Sequence, residues 1–416
     1  MKADATREPP AHGAAPGGWA RLPVFEYGFR PFFLLAGLQA VIAMLAWMAV
    51  LWGDGAGLQL GGLATALPGF YWHGHEMLFG FVLAVIAGFL LTAMPNWTGA
   101  KPLRRAPLAA LVALWLASRA AAWYGATGPW AAVIDLAFPA ALIGVVAVTL
   151  GRARAWRNMI LIPILLLLMI GDGLVHAEAL GLAEDTARAG LMLAADTVLL
   201  LIVIIGGRIV PAFTGAALAR IGGGVAVAAW PRVARAAVLS VALLLVVDIF
   251  APGSQLAGAV AALAALLNGI RLAGWRTSRA LGQPILWILH LGYLWVVAAL
   301  VGRAVADLGG PLGPATALHI LTVGAIGSFT IGVMSRAGLG HCGRPLVAGP
   351  ALATAYVLIS LAALARIVGP TVTAGAPGGF IASMMVSGGL WVAGFGLFLA
   401  VMAPLLLRRR ADGRPG

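Results

Sequence analysis

The chain has 416 residues, 62% of them hydrophobic and only 10% charged, with a mean hydropathy of +0.98 and a net charge of +13. A soluble domain carries about 25% charged residues, so a soluble globular fold is excluded and an all-α polytopic membrane protein is indicated. The basic residues are scattered over many short segments instead of forming one patch, which argues against a nucleic-acid partner and makes the lipid bilayer the expected surrounding. A single cysteine, Cys342, excludes an intrachain disulfide and any CxxC metal or redox motif.

Residues 1–30 contain proline, glycine, alanine and a few charges but no apolar run. They read as a cytoplasmic N-terminal tail, not as a cleavable signal peptide. Apolar runs long enough to cross a bilayer follow near 31–52, 69–94, 106–124, 129–150, 157–177, 190–213, 233–251, 254–273, 282–304, 314–334, 348–368 and 378–406. The domain plan is thus a twelve-helix membrane unit over 31–406 and a cytoplasmic tail over 407–416. Only "APGS" separates the two runs within 233–273, which makes this the weakest division.

Lys and Arg set the orientation. The N-terminal tail, alternate loops and the C-terminal tail hold 23 of the 27 basic residues. The opposite loops hold Arg188, Arg303 and Arg366, and Arg119 falls inside the third run. Both termini are therefore expected in the cytoplasm. Arg30 in "YGFRPFF" and Arg208 in "GGRIVP" lie at cytoplasmic helix ends, where snorkelling to lipid phosphate is the simplest role. The segments "GFLLTAMPNWTG", "GGRIVPAFTG" and "GSFTIGVMSRAG" close the second, sixth and tenth runs in a similar manner. They suggest three units of four helices, against the alternative that glycine-rich helix ends simply look alike.

Ionisable residues inside membrane helices are costly and mark function. In this topology His73, His75 and Glu76 of "YWHGHEMLFG", Asp172 and His176, and His319 all lie near the outer face. Arg119, Asp135 and Asp196 fall in the outer third of their helices, and His290 lies deeper. His12 and His341 fall in cytoplasmic segments. Histidine is the commonest transition-metal ligand and a frequent ligand of haem iron, so His73, His75, His176 and His319 are the candidate metal ligands, with His290 a further candidate for cofactor binding. The alternative for a single membrane histidine is a hydrogen-bonded interface residue.

Residues two apart on a helix point about 200° apart. If the segment is helical, His73 and His75 serve different sites; if it is extended, they can chelate together. Glu76 lies one turn from His73 and can accept its ring proton. Asp172 is four residues from His176 and can orient it. Glu76 and Asp172 are also the candidate catalytic proton carriers. Asp135 and Asp196 read as structural partners of Arg119 or of backbone groups, and Cys342 as a thiol in a cytoplasmic loop, passive in the simpler reading and reactive in the alternative. Nucleotide, serine-hydrolase and HExxH zinc motifs are absent from the sequence.

Four blocks in order, "FRPFFLLAG" at 29–37, "WHGHEMLFGF" at 72–81, "GGRIVPAFTGAAL" at 206–218 and "HILTVGAIGSFTIGVMSRAGLGHCGRPL" at 319–346, together resemble the NnrS family. The resemblance implies a bacterial inner-membrane protein with twelve spans that carries haem and copper and serves the nitric oxide and nitrosative-stress response, often alongside denitrification. It points to His73, His75 and His319 as metal ligands. The family's usual "GN" stands here as Gly215–Ala216, so any role of that asparagine is missing. By analogy only, haem–copper oxidases and nitric oxide reductases also use a twelve-helix core with an HxH pair serving different haems.

The leading expectation is a haem b protein, with copper as a second metal, that binds nitric oxide and acts as an oxidoreductase. Two nitric oxides, two electrons and two protons would give nitrous oxide and water, with quinol or a cytochrome as electron donor. The alternatives are a twelve-helix transporter with a His/Asp/Glu proton or metal site and a haem-based nitric oxide sensor without turnover.

Overall fold

The structure is a computed structural model that describes residues 18, 22–55, 69–123, 128–220, 227–228 and 230–413. Most of the tail expected over 1–30, with Lys2, Arg7, His12 and Arg21, lies outside the described residues, as does Arg414.

All twelve expected runs form helices long and apolar enough to cross a membrane. They are α1 (Phe29–Gly53), α2 (Gly69–Thr98), α3 (Ala106–Trp123), α4 (Pro129–Arg152), α5 (Trp156–Ala179), α6 (Thr186–Arg220), α7 (Pro231–Phe250), α8 (Gln255–Ala273), α9 (Pro284–Asp307), α10 (Pro314–His341), α11 (Pro350–Val372) and α12 (Gly379–Leu406). Proline at the first helical position begins α4, α7, α9, α10 and α11, where its missing N–H costs nothing. The weakest division proves to be a real turn. Ala251 breaks from helical geometry, Gly253 adopts φ +70°, and the Ser254 hydroxyl accepts from Ala257 N at 3.1 Å to start α8.

Helices α2, α6 and α10 are the inner ones, with 83%, 78% and 72% of their most apolar stretch buried, against 61% or less for every other helix. The others wrap around them in sequential pairs, among them α3 with α4, α7 with α8, α8 with α9 and α11 with α12. The inner helices recur every fourth helix, at the spacing of the three similar helix-end segments. A helix apolar on all sides is either buried or lipid-facing. Which of the two each one is depends on its neighbours, so the inner set emerges only from packing.

Alternating helices bring α1 and α12 to one end of the bundle, the termini face, where Arg30 corrects a sequence expectation. Its side chain is fully buried and does not reach a lipid phosphate. Its guanidinium donates to the carbonyls of Leu405, Leu406 and Arg408 at 3.3, 2.9 and 2.6 Å, satisfying the unpaired end of α12. Arg271 also lies buried, inside α8, and donates to Val203 O and the Tyr293 hydroxyl. Arg208 is exposed and reaches Asn158. On the same face Cys342 is buried and its thiol donates to Leu405 O at 3.4 Å. Burial pushes that thiol above its usual range, consistent with a passive role.

Candidate metal centre

The HxH pair lies in continuous helix, since residues Gly69–His75 are α-helical and lead into a wider π-type stretch over Glu76–Val82. The two imidazoles accordingly diverge. His75 turns toward α3, α4 and α5, while His73 turns toward α1 and α10. His73, His75, His176 and His319 therefore separate into two pairs, on two sides of α2.

The first pair lies in a dense ionic cluster. His75 is 1% exposed. Its Nε2 lies 2.9 Å from Asp172 Oδ1 and 3.1 Å from Asp135 Oδ2, and its Nδ1 lies 3.1 Å from Glu76 Oε1. His176 Nε2 lies 3.1 Å from Asp135 Oδ2 and 3.7 Å from Asp172 Oδ1. His75, Asp135, Asp172 and His176 thus offer ligand atoms that all lie within 4.8 Å of one another, the spacing needed to hold a metal ion. Asp172 Oδ2 is buried and has no hydrogen-bond partner among the described residues.

Arg119 joins the carboxylates, donating to Glu76 Oε1 and Asp135 Oδ1 at 2.5 Å each. The other Glu76 oxygen accepts from Gln39 Nε2 and Trp123 Nε1, both at 2.6 Å. Glu76 is therefore held by α1 and α3 and pairs with His75, not with His73 as the helical spacing suggested. Asp135 is indeed the partner of Arg119, but Asp196 is not. Three carboxylates against one guanidinium leave a formal charge of −2 when both imidazoles are neutral. A buried surplus of this kind is costly without a compensating cation, and a divalent ion would balance it.

Local sequence explains the geometry. The π-type stretch offsets the backbone hydrogen bonds, and Trp115 Nε1 on α3 donates to the Gly80 carbonyl at 3.2 Å. A Cβ at Gly80 would stand 2.9 Å from Gln39 Nε2 and 3.3 Å from Arg119, so glycine lets both side chains pass. On the far side of the cluster α5 and α6 touch through glycines next to Asp172. A Cβ at Gly190 would sit 2.3 Å from Gly171 O. Gly190→Ala should force these helices apart, cost about 1–3 kcal/mol and move Asp172. A thermal melt of the purified variant checks this, and a midpoint equal to wild type would show that the contact is loose.

The second pair is sparser. The His73 ring stacks on Trp47 of α1, with centroids 4.8 Å apart and planes at 13°. Its Nδ1 is buried without a hydrogen-bond partner among the described residues. His73 and His319 lie within electrostatic reach of one another and of Arg366 on α11. His319 Nδ1 lies 2.6 Å from the Ala315 carbonyl. That nitrogen must carry the proton, which leaves Nε2 with its lone pair, the tautomer suited to ligating a metal. A second π-type stretch, Ile320–Gly327, starts right after His319, as the first starts right after His75. Such stretches are frequent at functional sites.

His290 joins neither pair. Both its ring nitrogens are engaged, Nε2 with the Thr214 hydroxyl at 2.8 Å and Nδ1 with the Thr277 hydroxyl at 3.0 Å. His341 stacks on Tyr27 at the termini face. Sequence reasoning missed Gln39, Trp123, Trp47 and Arg366. Gln39 had a signal, being a buried amide inside an otherwise apolar helix. The tryptophans had none, because at helix ends they look like ordinary interface residues.

Fold and site together define a polytopic helical membrane protein with a buried His/Asp cluster able to hold a metal ion. The chain matches the family model for NnrS protein over residues 23–410 and belongs to that family. No curated protein matches it.

Proposed function

We propose that this protein binds haem b and a second, divalent metal ion on two sides of α2, and that it acts on nitric oxide, reducing it to nitrous oxide in nitrosative-stress defence or denitrification. The observation that carries the reading is the divergence of the HxH pair. His73 with His319 suits haem: two histidines from inner helices, one unpaired buried ring nitrogen, one imidazole held in the ligating tautomer, and Arg366 nearby for a propionate. His75, His176, Asp135 and Asp172 suit a divalent cation. Two imidazoles and two carboxylates are donors that copper(II), iron(II), zinc or manganese can use, so copper is one candidate at this site. Membership of the NnrS family supports a metal cofactor.

Haem iron, when bound, supplies the nitric oxide-binding and one-electron chemistry. The chain's own groups do the rest. Glu76, held by Arg119, Gln39 and Trp123, keeps the His75 ring in place. Asp172, with one oxygen unpaired, is the better placed of the two candidate proton carriers. Reduction consumes two electrons and two protons for each pair of nitric oxides, and quinol or a cytochrome is the proposed electron donor. Nitric oxide is small and neutral and reaches an intramembrane site through lipid.

The test is an absorption spectrum with metal analysis on protein purified in detergent. A Soret band with stoichiometric iron is expected, and the lack of both would end the haem reading in favour of a transporter. Nitrous oxide formed from nitric oxide under reductant would establish turnover, whereas a spectral response without nitrous oxide would leave a sensor.

A further inference from the structure

A second buried ionic group lies away from the candidate metal centre, between α6, α7 and α9, in the half of the bundle opposite the termini. Asp196 on α6 is 5% exposed. Among the described residues no N–H or O–H donor is bonded to it; the carboxylate of Asp248 on α7 faces it. Asp248 Oδ1 accepts from Arg303 at 2.5 Å, while its Oδ2 is buried and has no donor. Arg303 also donates to Asp307 Oδ2 at 2.5 Å. The charged groups that reach Asp196 are thus Asp248 from α7 and Arg303 and Asp307 from α9.

Two carboxyl groups cannot face each other out of water with both ionised and no donor between them. The like charges repel, and neither is solvated. A proton or a cation must stand between them. Arg303 is already committed to Asp248 and Asp307. A metal ion is disfavoured because the three aspartates do not converge as His75, Asp135, Asp172 and His176 do, and the group includes neither imidazole nor thiolate.

We propose that Asp196 and Asp248 share one proton and form a membrane-embedded proton-binding site, separate from the metal centre on α2. The proton becomes the donor that Asp248 Oδ2 and the Asp196 carboxylate lack, and it lowers the formal charge of the four groups from −2 to −1. The series Asp196, Asp248, Arg303, Asp307 runs from the interior of α6 to the last residue of α9, which gives the site a polar connection to the face opposite the termini. The inference does not depend on the presence of haem or on nitric oxide chemistry.

Infrared difference spectroscopy of the full chain in lipid tests it. The wild type should show the C=O stretch of a protonated carboxylic acid, shifted in heavy water. Asp196→Asn and Asp248→Asn should each abolish that band, since sharing needs both partners, and Asp307→Asn should leave it. Asparagine resembles a protonated aspartate in size and charge, so the fold should persist. Should either variant fail to accumulate, Asp196→Glu keeps the acid and should move the band instead. A band absent from the wild type, retained in both asparagine variants, or unmoved in Asp196→Glu overturns the proposal. So does a band that disappears when sodium or calcium is added at constant pH, which would indicate a cation site.

Discussion

Arg119→Leu should cost about 3–5 kcal/mol, the range for stripping one partner from a buried ion pair, and should remove most of the folded protein. Its guanidinium is the cation that Glu76 and Asp135 accept from, and Asp172 stands next to them. Without it, three carboxylates face one another in a space where water cannot solvate them. The loss should show as a fall in monodisperse protein after detergent extraction and a lower melting midpoint. Arg119→Leu combined with Asp135→Asn should recover part of the loss, because the second change removes one of the stranded charges. A double variant no better than the single one would mean that Arg119 acts by packing alone. Arg119→Lys should fall between, since an ammonium cannot span two carboxylates with a planar fork.

His73→Ala and His75→Ala should have different consequences although the residues are two apart. In the proposed arrangement, His73→Ala and His319→Ala reduce or alter the Soret band. His75→Ala and His176→Ala leave that band in place and lower the second metal. The loss of affinity should exceed the about 10–100-fold that removal of an outer-shell partner causes. Spectra and metal contents of the four variants check this. An unchanged spectrum in both His73→Ala and His319→Ala would refute the placement of haem between α2 and α10. Identical losses of both metals in His73→Ala and His75→Ala would refute the division into two sites.

Much of this molecule is legible without coordinates because a bilayer imposes a simple rule. Each crossing must satisfy its backbone within a helix and present apolar side chains for a fixed length. Twelve crossings therefore appear as twelve apolar runs, and even the turn at 251–254 shows as a proline–glycine–serine interruption. The rarity of ionisable residues in lipid likewise makes His73, His75, Glu76, Arg119, Asp135, Asp172 and Asp196 conspicuous one by one. The helical period also ties the divergence of His73 and His75 to the helicity of their segment.

Partnership was the part that needed the tertiary structure. Depth along a helix can be counted, but rotation about its axis and the identity of its neighbours cannot. Four histidines at one depth look like one site, yet α2 stands between them and divides them into two pairs. Glu76 has His73 one turn away, yet its carboxylate is taken by His75, Arg119, Gln39 and Trp123. Arg30 at a helix end suggests lipid phosphate, yet packing of α1 against α12 turns it onto carbonyls. Asp196 pairs with Asp248 because α6 and α7 bring together residues that differ by 52 in number. The pattern of apolar and ionisable residues marks which segments cross the membrane and which residues are too costly to be there without purpose. The packing of helices decided which of those residues meet, because in a uniformly apolar sequence small differences in close fit, such as the glycine contact between α5 and α6, set each helix's neighbours and rotation.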